Sequence, residues 1–178
     1  MNNLLKIGVF GICLVLISCG SKDGESEGGV YTIDTKDVKG EIDKTGGSGG
    51  SISYNHNGKE CKAYKIEIGD EAELMVYTDD VAFEDIVEKI EKKVSSTFDD
   101  VEIISQDTDC IFFKETKIPF GEGEKEPVDG YGIIRVVEKE GEMNYVLESN
   151  GKTPLDPIYD KENADKLLKM AKSFVPKD

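Results

Sequence analysis

The chain has 178 residues and a formal charge of −15, set by 37 acidic against 22 basic side chains. That excess repels phosphate backbones, whose binding needs Lys and Arg to displace counterions, so nucleic acid is excluded as a partner. A basic protein or a divalent cation suits the charge better, and acidity also serves simple solubility.

Lys6 precedes an apolar run from Ile7 to Ile17, which closes on Leu16-Ile17-Ser18-Cys19. A charged start, a short apolar core and small residues at a cut site make a secretory signal. A spanning helix needs about 20 apolar residues, and this run is shorter. The tetrapeptide resembles a bacterial lipobox. The resemblance implies cleavage before Cys19, a lipid on Cys19 and anchoring in a Gram-negative envelope. Gly20 replaces the Asp associated with inner-membrane retention, which favours the outer membrane, on its periplasmic or surface face. Stable anchoring takes more than one acyl chain. Residues 1–18 hold one Lys and no acid, so their removal takes the charge from −15 to −16. Residues 19–51 read as the lipidated Cys and a tether, because Gly28-Gly29 and the stretch Gly46 to Ser51 have the composition of flexible coil. Val30 to Ile33 alternates weakly within it and is taken as spacer.

The folded domain is expected over residues 52–178. Ser51 to His56 and Lys59 to Ile68 flank Asn57-Gly58, the strongest short hairpin signal, since both turn residues tolerate positive φ. Glu73 to Thr78 follows as a strand. Asp80 is placed to cap a helix over Val81 to Thr97. Phe83, Ile86, Val87, Ile90 and Val94 make its apolar stripe. Asp85 with Lys89, and Glu88 with Lys92, are spaced for i,i+4 pairs. Strands are expected at Val101 to Ser105, Cys110 to Glu115, Gly130 to Glu138 and Met143 to Ser149. A last helix runs from Lys161 to Val175, capped by Asp160 and stopped by Pro176. The order is β-β-β-α-β-β-β-β-α. It predicts an α+β domain, a mostly antiparallel sheet flanked by two amphipathic helices.

Four features bear on chemistry. Cys61 and Cys110 remain after Cys13 and Cys19 are set aside. In an oxidising compartment they are candidates for a disulfide, and two buried free thiols are the alternative. His56, the only histidine, stands beside a turn, with neither a Gly-x-Ser-x-Gly nor a His-Glu-x-x-His to give it a catalytic setting. The acids Asp79, Asp80, Glu84 and Asp85 suit the positive end of a helix dipole. With Asp99, Asp100, Glu102, Asp107 and Asp109 they miss the spacing of a calcium loop. No metal ligand set and no cofactor is expected. The loop from Pro119 to Tyr131 is the longest irregular segment in the domain. Phe120 and Tyr131 flank its acids Glu122, Glu124 and Glu126, a face for a basic partner or a plain connection.

The element order and the closing Met170-Ala171-Lys172-Ser173-Phe174 resemble the PsbP/DcrB-like family of small envelope and extrinsic proteins. The resemblance covers about residues 52–175, although the Trp usual near the start of such domains is missing. It implies an antiparallel sheet flanked by helices and work through protein partners without catalysis. The expectation is therefore a non-enzymatic, bilayer-anchored module that binds a protein. An inhibitor or immunity protein against a basic toxin or lysozyme-like enzyme is the second reading. A carboxylate-dependent hydrolase of envelope glycans is the third.

Overall fold

The computed structural model of the chain describes residues 29–34, 36, 38–44, 48–56, 58–69, 72–95, 100–117, 126–151 and 157–177. Cys19, Phe120, Glu122 and Glu124 lie outside them.

Two strands open the described chain, β1 (Gly29–Asp34) and β2 (Lys39–Lys44). Then come β3 (Ser48–His56), β4 (Lys59–Ile68) and β5 (Ala72–Asp79), helix α1 (Phe83–Val94), and β6 (Asp100–Gln106). The chain closes with β7 (Cys110–Lys117), β8 (Val128–Val137), β9 (Asn144–Asn150) and helix α2 (Lys161–Ser173). β1 and β2 pair as a separate antiparallel hairpin. The other seven strands form one sheet in the order β3-β4-β5-β9-β8-β7-β6, antiparallel at every step. The protein is thus α+β with a mostly antiparallel sheet.

Strand alternation assigns the two faces. On β8, Arg135 reaches the carbonyls of Ala171 and Phe174, so odd-numbered residues face α2. Ile134 and Val136 point the other way, into the cluster of Phe83 and Ile90 from α1. Register carries this across the sheet. Tyr64, Ile66, Leu74, Val76 and Leu147 share the α2 face, while Cys61, Ala63, Met75, Tyr77, Val146 and Glu148 share the α1 face. Helix α2 packs on β2, β5, β8 and β9 through its stripe of Ala164, Leu167, Met170 and Ala171. Helix α1 covers only the β6 to β8 end of its own face.

The β3–β4 turn is as expected. Gly58 takes φ +78° and its N–H donates to Asn55 Oδ1 at 3.1 Å. Asp160 caps α2 by accepting from the Glu162 N–H. The cap of α1 differs from expectation. Residues 80–82 stay outside the helix, Ala82 is the N-cap and makes no side-chain cap bond, and Asp79 accepts from the Asp80 N–H instead. Helix α2 ends two residues early, because Phe174 turns extended and Val175 exchanges two backbone hydrogen bonds with Glu41.

Those bonds belong to the largest departure. The segment read as spacer contains β1 and β2, and Ile33, Val38 and Ile42 are fully buried in the main core. Ser173 Oγ accepts from the Asp43 N–H, and Lys177 pairs with Glu41. The folded unit thus includes part of the expected tether. The disulfide expectation also fails on geometry. Cys61 on β4 and Cys110 on β7 are not in a disulfide, and their strands are four places apart in the sheet. That is about 19 Å at ordinary strand spacing, against the roughly 7 Å limit for bridged Cα atoms. Burial pushes the Cys110 thiol up to about 11, with partial opposition from Lys172 and Arg135.

Candidate functional site: a cleft between the first helix and the open sheet

Because α1 covers only one end of its face, a cleft of about 700 Å³ is left between the helix and the strands β4, β5 and β9. The sheet contributes Tyr77, Val146 and Ile134 as a floor, and α1 contributes Ile86 and Ile90 as a wall. Met143, half-exposed, stands at the rim. An unbranched thioether adapts readily to the shape of an apolar partner.

Glu148 sets the polarity of the floor. It projects from β9 beside Val146 on the same face and accepts a hydrogen bond from Tyr77 Oη at 3.0 Å. Tyr54 packs on Tyr77 with ring centroids 5.2 Å apart. Burial, and then the Glu148 charge, push the Tyr54 phenol up to about 12 and raise Tyr77 as well. Both phenols are therefore neutral donors at physiological pH, and they hold the carboxylate in place. Farther along the same face, Lys65 bridges Glu67 at 2.5 Å and Glu73 at 3.5 Å, which ends the open surface in a paired ionic group.

The opposite end of the cleft is acidic. Antiparallel pairing brings the start of β4 to the end of β5, where α1 also begins. Asp79, Asp80 and Asp85 line the cleft there, while the Glu60 carboxylate accepts from Ser53 Oγ on the opposite face of the sheet. Lys89 and Lys93 lie farther along the helix, and Lys93 stands 3.9 Å from Glu115. The lining thus carries four carboxylates, Asp79, Asp80, Asp85 and Glu148, against two ammonium groups. Asp85 and Lys89, expected as a surface pair, are both cleft residues; the pair that forms is Lys92 with Glu88, at 2.6 Å.

The remaining expected residues fall elsewhere. Cys61 lines the cleft and is half-buried. Glu84 faces a separate shallow groove with Val87 and Asp107. The turn acids are structural: Asp107 pairs with Lys172 and Asp109 with Arg135. Among the described residues no three His, Cys, Asp or Glu side chains converge as metal ligands. Glu126 is exposed. Tyr131 does not stand free as a loop residue would. Its backbone exchanges two hydrogen bonds with Ile158, and its ring lies 6.0 Å from Phe112. The side chain of His56 lies outside the described residues.

The phenols give a pH prediction. A folded-state value raised above the unfolded one means that the fold favours the protonated phenol. That stabilisation is complete below about pH 10 and is lost as pH rises through about 12. Absorbance titration of the seven tyrosines is expected to show Tyr54 and Tyr77 ionising last, together with loss of structure. Seven ionisations near pH 10 in a protein that stays folded would contradict the buried Tyr54–Tyr77–Glu148 arrangement.

No protein family, curated protein or solved structure matches this chain.

Proposed function

We propose that this protein is a lipid-anchored envelope module that binds a protein partner and catalyses no reaction, with the cleft beside α1 as its binding surface. The observation that carries the reading is the cleft itself. It is an open apolar trough in a sheet face that α1 leaves half covered, with polar groups fixed at both ends. Sites of this build hold ligands by burying apolar surface and orient them with a few polar contacts. The anchor is Cys19, as the lipobox resemblance implies, on the outer membrane. β1 begins at Gly29, and the nine residues between it and Cys19 can reach at most about 30 Å. The domain then works close to the bilayer. Helices on both faces of an antiparallel sheet also agree with the PsbP/DcrB-like resemblance. The acidic lining favours, as a second reading, an inhibitor of a basic toxin or lysozyme-like enzyme.

The test uses the full chain in its own membranes. Cys19→Ala is expected to move the protein to the soluble fraction; a variant that stays with the membrane contradicts the anchor. Affinity capture at low salt is expected to retain one partner stoichiometrically, and Ile86→Ala, which removes the apolar wall, is expected to lose it. Equal capture by the Ile86→Ala protein would move the binding surface off the cleft.

A further inference from the structure

We infer that the cleft recognises an extended basic peptide segment of its partner, with one Arg or Lys among the carboxylates of Asp79, Asp80 and Asp85 and an apolar residue against Ile86 and Val146. The inference rests on the reading of the cleft as a binding surface and adds the chemistry of the occupant.

Charge complementarity selects the occupant. With Asp79, Asp80, Asp85 and Glu148 against Lys89 and Lys93 the lining has an excess of two negative charges, and three of its carboxylates gather at the end where β5 stops and α1 starts. Lys89 and Lys93 occupy the other end, so a uniformly basic ligand meets like charge there, whereas a segment with a cation at one end and an apolar body does not. Nucleic acid and anionic lipid are repelled by the acidic end. A bare metal ion lacks converging ligands among the described residues. Length points to a short stretch of chain. Asp85 and Lys93 are eight helical residues apart, about 12 Å along α1, which an extended peptide spans with about four residues. Glu148, held by Tyr77, gives a fixed acceptor beside the apolar floor for a peptide N–H.

The probe is a fluorescein-labelled hexapeptide amide with one Arg, two Leu and otherwise Ser and Gly, and its counterpart with Gln in place of Arg. Anisotropy is read on the full chain in non-ionic detergent. The Arg peptide is expected to bind, weakening with salt, and the Gln peptide to bind about tenfold more weakly. The triple change Asp79→Asn, Asp80→Asn, Asp85→Asn keeps side-chain shape. It is expected to weaken the Arg peptide by about tenfold or more and to leave the Gln peptide unchanged. The control removes as much charge from the exposed acids of the same helix, by Glu84→Gln, Glu88→Gln and Glu91→Gln, and is expected to alter affinity less than twofold beyond general screening. Loss in the control equal to loss in the triple variant overturns the inference, because attraction is then to net charge alone. If Ile86→Ala weakens both peptides equally while the triple variant changes neither, the cleft binds but basic recognition is wrong. If Ile86→Ala is also silent, the cleft reading fails with it.

Discussion

Replacing Phe174 by Ala is expected to cost about 3–5 kcal/mol of unfolding free energy and to release the β1–β2 hairpin. Phe174 is 1% exposed and stands where α2, the sheet and the hairpin meet. Its ring lies edge-on to Tyr145, with centroids 5.4 Å apart. The hairpin is fitted to it at Gly40, where a Cβ would come within 2.1 Å of Phe174 Cε2. Only a residue without a side chain lets the strand lie on that ring. Removing the ring takes away the surface on which Ile33, Val38 and Ile42 are held, and it leaves a cavity that a hairpin of two strands cannot close. Urea unfolding gives the stability change. Hydrogen exchange at the Glu41 and Val175 amides, which bond to each other's carbonyls, reports the hairpin. Exchange there is expected to quicken more than in β8. Gly40→Ala alone is expected to cost about 1–3 kcal/mol from overpacking, and less in a Phe174→Leu background. Additive effects would mean that Gly40 and Phe174 do not share this contact.

Arg135→Met is expected to cost about 2–4 kcal/mol, more than the usual loss of a neutral hydrogen bond. The guanidinium sits on β8 with a side chain 14% exposed. Its Nε donates to Asp109 Oδ2 at 2.9 Å, and Nη1 donates to the carbonyls of Ala171 and Phe174. It thereby satisfies carbonyls at the end of α2, favours the negative end of the helix dipole and ties the helix to the β6–β7 turn. Met keeps much of the packed length but none of the donors. Asp109 keeps some access to water, which limits the cost of stranding its charge. Thermal unfolding checks the prediction, and Arg135→Lys is expected to recover only part of the loss, because one ammonium cannot reproduce a planar fork. A change below 0.5 kcal/mol on replacement by Met, as on an ordinary surface site, would show that these bonds do not brace α2.

The strands of the large sheet and both helices were readable because local rules and tertiary packing agree there. The Asn57-Gly58 turn, the alternation of Tyr64, Ile66 and Ile68, and the i, i+3, i+4 stripes each follow from one periodicity. The hairpin was obscured by the residue that makes it fit. Val38, Gly40 and Ile42 alternate with Lys39, Glu41 and Asp43, as a half-buried strand should. Gly40 interrupts the apolar count because Phe174, more than 130 residues away, fills its place. The cap of α1 was misread because Asp80 has the right chemistry but precedes Val81 and Ala82, which stay outside the helix, with Ala82 extended. The cleft is a property of strand order, and no local pattern carries that. Its one local trace is Glu148, a lone acid between Tyr145-Val146-Leu147 and Ser149 in a mostly buried strand. The possible pairing of Cys61 with Cys110 failed for the same reason, since neighbours in a sheet cannot be counted from spacing.

The central claim is that the partner occupies the cleft, and Cys61 reports on it directly. Its thiol lines the cleft and is half-buried, whereas Cys110 is buried with its thiol held protonated by burial. Alkylation of Cys61 by a small neutral reagent, located by mass spectrometry, would be timed on the full chain alone and with its captured partner. Slowing by about tenfold or more, with Cys110 unreactive in both, is the predicted result. Unchanged alkylation of Cys61 in a chain saturated with partner would place the binding surface elsewhere and contradict the account.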